Sequence, residues 1–344
     1  METVPQESPH SELVIRQTGL LPGYVYGHFS EIVLLRFSPD GHLLVSISEW
    51  DDQIVLIWDI PSATLVRKLT FSTRIHDCAF SPDGTRLAIA EANIISFWDR
   101  TGTQMLESIP VQTKKFTFSS DGNELIHVDS AGTVSFWDLM KRRIIFSFQA
   151  TPGDSHCSWW AISTHLSCLA LTTDANKAFL WLFDSAEAEA IPLATIAADH
   201  DDGVAFSPDG KLFACLATPL RQRKPHVQIY DIQEQAYTLD IVSPTPLLGT
   251  GRSQPLAFSP DSSHLAVASM DGTLFFWNIH EQQLISTVTA HPNPGNFPYS
   301  AISAIAWSST SQYLATGGWE AEEVSPSGKC FIIKLWKIDS KIFL

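Results

Sequence analysis

The chain has 344 residues, 44% apolar and 17% charged, the balance of a soluble globular protein rather than of a disordered one. Its apolar runs are short, as at Ile54–Trp58, and none approaches the ~18 residues of a membrane-spanning helix. A formal net charge of −15 repels nucleic acid and anionic membrane surfaces, so neither is expected as a partner, and expectation moves toward proteins or peptides of basic or apolar character.

Residues 1–12, METVPQESPHSE, are polar and acidic, without the basic start and apolar stretch of a secretory signal; they are expected to form a flexible tail. No N-x-[ST] acceptor occurs. The expected location is intracellular, in the cytoplasm, with the nucleus open as well. The cysteines Cys78, Cys157, Cys168, Cys215 and Cys330 are odd in number and contain no C-x-x-C pair, so they are expected as small buried apolar residues rather than as disulfides or a zinc site.

Along the chain, a run of strand character leads into Phe37-Ser-Pro-Asp-Gly41. An apolar-alternating run and a polar turn follow, then a third run ending in Trp58-Asp59 and a fourth at 63–71. The same grammar recurs from Phe80, Phe118, Phe206 and Phe258, and more weakly from Ile162 and Trp307, at steps of 38–52 residues. A second ladder carries Trp98-Asp99, Trp137-Asp138, Tyr230-Asp231, Trp277-Asn278 and Trp336-Lys337. In the fourth unit Trp181 has the spacing and Phe183-Asp184 the dipeptide, so its anchor is ambiguous. Four antiparallel strands per unit make one sheet, and no helical period interrupts them. In the pentapeptide, Pro presets φ, Asp caps the turn and Gly supplies φ > 0, which needs no ligand.

With these two ladders in register, the sequence resembles the WD-repeat β-propeller family. Gly27-His28, nine residues before Phe37, matches the dipeptide that opens this family's repeats. The resemblance covers about residues 13–344 and implies an all-β fold, a seven-bladed β-propeller of four-stranded antiparallel blades. The approximate blades are 28–70, 71–110, 111–150, 151–196, 197–243, 244–290 and 291–344 plus 13–18. The last unit lacks an outer strand, and the unmatched run Leu13–Gln17 is expected to supply it, closing the ring. The resemblance also implies a buried hydrogen-bond set, carried in the first unit by His28, Ser48 (or Ser46), Asp52 and Trp58. The sixth unit retains Ser269, Asp271 and Trp277 without a matching His. The third has Ala131 in the Asp position and the second a shortened turn at Glu91-Ala92-Asn93.

No catalytic signature is present: G-x-S-x-G, H-E-x-x-H, a Walker loop and G-x-G-x-x-G are all missing. The glycines of 249–254 read as a loop, and Asp199–Gly203 (DHDDG) as a solvated turn without the spacing of a calcium loop. His156 and Cys157, adjacent on a strand, point to opposite faces. Lys141-Arg142-Arg143 reads as solvated charge in a turn. No catalytic residue, cofactor or metal is therefore expected.

Propellers of the resembled family act as rigid platforms, with partners on the rim formed by loops between blades and by turns between second and third strands. Departures from the repeat on that rim mark the candidate partner-binding residues. They are Trp50 in SEWDD, Arg221, Arg223 and Lys224 in 217–227, and Trp319, Glu320, Glu322 and Glu323 in 318–330. Two long loops between blades add Arg252, Phe297 and Tyr299. The competing reading has Trp50 and Trp319 folded over the blade edge. The expected function is a non-enzymatic interaction scaffold or adaptor for a protein or peptide, a monomeric propeller within a complex. The alternatives are a sensor or regulatory propeller of a larger signalling protein and, third, a hydrolase or lyase at the channel mouth.

Overall fold

Runs of β-branched and aromatic residues cut by Ser-Pro-Asp-Gly turns fold as antiparallel meanders. The structure is a computed structural model. It describes residues 15–21, 28–48, 53–151, 157–163, 167–173, 177–187, 189–197, 203–217, 226–242, 256–269, 271–292, 302–320 and 330–338. Strand β1 is Ile15–Leu21. The first blade is β2 (Ile32–Phe37), β3 (Leu43–Ser48), β4 (Ile54–Asp59) and β5 (Thr64–Thr70). The second is β6 (Asp77–Phe80), β7 (Arg86–Ala90), β8 (Ile95–Asp99) and β9 (Met105–Ile109), the third β10 (Lys115–Phe118), β11 (Glu124–Val128), β12 (Thr133–Asp138) and β13 (Arg143–Gln149). The fourth is β14 (Cys157–Ser163), β15 (Cys168–Thr173), β16 (Lys177–Asp184) and β17 (Glu189–Ala197), the fifth β18 (Val204–Phe206), β19 (Leu212–Ala217), β20 (His226–Asp231) and β21 (Ala236–Val242). The sixth is β22 (Leu256–Phe258), β23 (His264–Ala268), β24 (Thr273–Asn278) and β25 (Gln283–Thr289), and the seventh holds β26 (Ile302–Trp307), β27 (Tyr313–Glu320) and β28 (Cys330–Ile338).

These strands form seven four-stranded sheets, and β1 pairs antiparallel with β28 as the outer strand of the seventh. The expected closure is present, with the strand running on to Leu21. Leu21 is fully buried against Ile333 and Leu335, which is why the apolar end of this segment is drawn in. The first strands of neighbouring blades pack around a central channel, and β2 meets β26 across the ring junction. There Ser303 Oγ donates to the Ile32 carbonyl at 2.6 Å, and Ser309 Oγ to that of Pro39 at 2.5 Å. Apolar side chains from facing sheets fill each interblade layer, as where Val45, Ile57, Cys78, Leu87 and Ile89 meet between the first two blades.

The pentapeptide works through its serine as much as its aspartate. Ser38 Oγ donates to Asp40 Oδ1 at 2.5 Å and accepts from the Leu43 amide at 2.9 Å. Ser81, Ser119, Ser207 and Ser259 repeat both bonds. Gly41 has φ +73°, the conformation that lets its amide bond the Ser38 carbonyl. Where the glycine is replaced, Ser262 and Ser311 still take φ of +63° and +58°.

Each outer strand of the first six blades carries one extra residue opposite the step into the Trp-Asp aromatic; in the first it is Val66, between the pairs Ile57↔Arg67 and Trp58↔Leu65. This bulge resolves the fourth unit: the irregularity falls at Leu180/Trp181, and Trp181 pairs with Leu169 as Trp58 pairs with Leu44. Spacing, not the dipeptide, marks the anchor.

Candidate binding rim and channel

Among the described residues, the buried polar set of the first blade is a chain of four side chains. Trp58 Nε1 donates to Ser46 Oγ at 2.9 Å, Ser46 Oγ bonds His28 Nε2 at 2.9 Å, and His28 Nδ1 bonds Ser48 Oγ at 2.9 Å. Both serines belong to it, and Ser46 is the one that meets the indole. Asp52 lies outside the described residues. The seventh blade has an equivalent set: His291 Nε2 bonds Thr316 Oγ1 at 2.9 Å, and Trp336 Nε1 donates to the same hydroxyl at 3.0 Å. Sequence reasoning missed His291 because residues 292–301 separate it from β26. In the sixth blade Ser269 Oγ bonds Asp271 and the Thr273 carbonyl, closing the turn, while Trp277 packs in the interblade layer. The third blade's missing Asp is supplied two residues earlier, where Asp129 Oδ1 accepts from the amides of Ala131 and Thr133 at 2.8 and 2.9 Å.

In that third blade His127 holds the position of Ser46, since Leu125 and Leu44 both pair with the anchor Trp. His127 is 7% exposed, and burial pushes its pKa down to about 4. Burial, together with the Lys334 charge, pushes His291 down to about 3, against an opposing hydrogen bond from Thr316. Both imidazoles are neutral core groups.

The candidate rim residues divide sharply. Trp319 is a correction: it is no part of a turn but a residue of β27, paired with Phe331, and it is only 4% exposed. The strand runs through Gly317 because a Cβ there would sit 2.7 Å from Ile32 Cγ2 of the first blade, so the glycine is a packing requirement between blades. Glu320 ends the same strand, paired with Cys330. Trp50, Arg221, Arg223, Lys224, Arg252, Phe297, Tyr299, Glu322 and Glu323 lie outside the described residues. So do 249–254, Asp199–Asp202 and His156. The strand ends that flank three of the expected loops are Ser48 with Ile54, Ala217 with His226, and Glu320 with Cys330, and antiparallel topology puts them at the rim end of their blades. His226, 3% exposed, sits at this end with Nε2 3.5 Å from Asp240 Oδ1. On the opposite face Lys141 pairs with Asp138 at 2.9 Å, and Arg142 bridges to Glu107 of the second blade at 2.9 Å.

A central channel of about 720 Å³ runs between the faces. One residue before each phenylalanine or its equivalent, the wall is Arg36, Ala79, Thr117, Ala161, Ala205, Ala257 and Ala306, and all seven line the channel. Arg36 is the single charge in that tier. Nearer the rim stand Asp77 on β6 and Lys115 on β10. Asp77 is 2% exposed and engaged on both oxygens, accepting from the Cys78 amide at 3.0 Å and the Phe116 amide of the next blade at 3.1 Å. Burial lowers the pKa of the Lys115 ammonium; Asp77 opposes this, and Arg36 and Arg74 add to it. His76 at the mouth is lowered by burial and then by Arg74, Lys114 and Lys115. These residues were legible only as a column of the repeat, in which Arg36 faces five alanines and a threonine.

Among the described residues no group of three or more His, Cys, Asp or Glu is placed to hold a metal ion, and no helix is long and apolar enough to cross a membrane.

The family model "WD domain, G-beta repeat" matches residues 21–59, 256–278 and 282–322. Human WD repeat-containing protein 90 is 22% identical over 306 residues, 78% of this chain and 16% of that protein. Protein LST8 homolog of Drosophila melanogaster is 23% identical over 251 residues, 69% of this chain and 76% of that one. Small ribosomal subunit protein RACK1y of Oryza sativa subsp. japonica is 26% identical over 123 residues, 33% of this chain and 36% of its own length. The chain thus spans a sixth of the human relative and about a third of the rice one. With matches to that family's repeat in the first, sixth and seventh blades of a ring whose seven sheets share one strand grammar, the chain is a seven-bladed β-propeller that carries WD repeats.

Proposed function

We propose that this propeller is a non-enzymatic interaction scaffold that presents its rim to a protein or peptide partner. The observation carrying this reading is the asymmetry of the two faces. One face is built from near-copies of a single serine–aspartate turn. At the other, the rim ends of the blades are joined by sequence that departs from the chain's own repeat, read as SEWDD, 217–227, 243–255, 291–300 and 318–330. A rigid ring with one uniform face and one individual face suits recognition by the individual one. Residues 13–344 form the platform, and Trp50, Arg221, Arg223, Lys224, Arg252, Phe297, Tyr299, Glu320, Glu322 and Glu323 are its candidate contacts. The acidic residues Glu320, Glu322 and Glu323 suit a basic or apolar segment. The name of the rice relative places that protein in an assembly, which supports reading this one as part of a complex, and we place it in the cytoplasm.

Affinity capture from a native lysate tests this. Trp50→Ala combined with Arg221→Ala and Arg223→Ala is expected to lose captured proteins that wild type and Lys141→Ala on the opposite face retain. Identical protein sets from all three baits would count heavily against the reading. A second reading, a regulatory propeller within a longer polypeptide, draws support from the match to only 16% of the human relative. An open reading frame continuing past Leu344 would favour it.

A further inference from the structure

The outer strand of each blade ends its sheet, with no described strand on its far side, and leaves a row of backbone N–H and C=O groups that a further strand can pair. A charge, a proline or an irregular glycine within the strand blunts such an edge. Five of the seven outer strands carry one: β5 has Arg67 and Lys68, β9 Glu107, β17 Pro192, β21 Asp240, and β1 Arg16 and Gly19. β25 (QLISTVT) and β13 (RIIFSFQ) have none after their first residue, and of these two β13 holds the large apolar side chains. Beyond its bulge at Ile145, β13 is regular from Phe146 to Gln149. Ser147 is exposed there, between Phe146 and Phe148, whose rings stack at 5.6 Å. The register position of Ser147, opposite Ser135, is held by Lys68 in the first blade and Asp240 in the fifth, so this edge lacks a charge that two others have. Apolar surface adjoins it: Met140 and Ile144 are 85% and 50% exposed, and Met105 and Leu106 of β9 are 52% and 47% exposed. Arg142 reaches Glu107 at 2.9 Å and the Ser108 carbonyl at 3.3 Å, which holds the turn carrying Met140 against β9.

We propose that β13 pairs antiparallel with β13 of a second copy of this chain, centred on Ser147, to form a two-fold dimer joined through the third blades. The occupant follows from the strand's own sequence, which is complementary to itself in this register. With Ser147 opposite Ser147 of the second copy, Phe146 of each chain stands opposite Phe148 of the other, and Ile145 opposite Gln149. Aromatic pairs then share one face of the joined sheet, and no like charges meet, because Arg143 lies at the end of the strand. Antiparallel pairing reverses the strand direction, so the two rims face opposite ways and neither is covered. The dimer replaces the monomeric propeller expected from the sequence and gives any rim partner two sites. One strand pair with its flanking side chains is a small interface, and two chains of charge −15 repel at long range. Association is therefore expected to depend on concentration and to strengthen with added salt, the opposite of an interface made by ion pairs.

Sedimentation velocity of the full chain over a concentration series tests this. Wild type is expected to shift from monomer toward dimer as its concentration rises. Ser147→Lys sets two ammonium groups opposite each other at the centre of the pairing, at a position where the first blade already carries Lys68. It is expected to raise the dimer dissociation constant about tenfold or more. Thr287→Lys, at the same register position on β25, is expected to leave it unchanged. Melting temperatures check that both variants are folded; if Ser147→Lys melts lower than wild type, Ser147→Asp, the residue type of the fifth blade, carries the comparison. A wild type that stays monomeric at the highest attainable concentration overturns the proposal. So does a dimer that a folded Ser147→Lys variant retains, and so does one that Thr287→Lys disrupts. The scaffold reading stands or falls separately, since Ser147 lies on the outer wall and the rim variants leave it untouched.

Discussion

Ser46 is a small residue on which two large ones depend. Its hydroxyl is fully buried, accepts from the Trp58 indole and bonds His28. Ser46→Ala therefore takes the acceptor from the Trp58 indole and removes one partner of His28, whereas Ser48→Ala removes the outer partner of that histidine and leaves the indole bond in place. Denaturant midpoints are expected to show a loss of about 2–3 kcal/mol for Ser46→Ala and about 1 kcal/mol for Ser48→Ala. Equal losses would mean that the indole finds another acceptor. At this scale the sequence was legible where side-chain type and position coincided, as for His28 and Trp58. It was less so where spacing was interrupted: His291 has the chemistry of His28 but stands eleven residues before its strand instead of four.

Strands were legible through Phe-Ser-Pro-Asp-Gly and Trp-Asp because each marks a strand end with a physical device, a serine-locked turn at one and a bulge opposite an aromatic at the other. The seventh blade broke the reading. Gly317 and Gly318 have the composition of a turn, but the neighbouring blade's Ile32 demands that glycine within a continuing strand, and so Trp319 is buried. Such a demand comes from a residue 285 positions away and leaves no local mark. The outermost element of the same blade gives the clearest test. Removing residues 1–21 strips β1 from β28 and uncovers Ile333 and Leu335, which are 0% and 2% exposed. The expected result is a loss of several kcal/mol, about 10 °C or more in melting temperature, with aggregation through the bared edge. An unchanged melting temperature would show that the ring holds without its closing strand.

Over the whole molecule, acid acts through the core before it reaches the carboxylates. His127 and His291 titrate near 4 and 3 in the folded chain, below the usual 6.5 that they regain on unfolding. The unfolded state therefore takes up protons first as pH drops below about 6.5, and stability falls until the folded pKa values are reached, by about 1.4 kcal/mol per pH unit for each group. The turn aspartates Asp83, Asp121 and Asp261 have pKa values lowered in the folded state, so their contribution, present above the ordinary carboxylate range, is lost only at lower pH. Melting temperature is expected to decline already between pH 6.5 and 4.5. His127→Ser is expected to lower stability at pH 7.5 yet flatten that decline. A slope identical to wild type would remove His127 as a cause. Of the candidate site, the loops were legible as departures from the repeat, while the charged residues of the channel wall were hidden, because Arg36, Asp77 and Lys115 lie on the first strands of three successive blades and meet only when those blades pack.

That closure also orders the protein's biosynthesis. β1 leaves the ribosome before every other strand described here, and β28 leaves after all of them. β1 must wait unpaired, its Leu21 uncovered, until β28 has been translated. Six blades can each zip up from neighbouring sequence as they emerge, but the seventh cannot be completed during elongation. A prematurely terminated chain therefore keeps an unpaired strand at one end and an open sheet edge at the other, a built-in signature by which cellular quality control can tell an unfinished copy from a finished one.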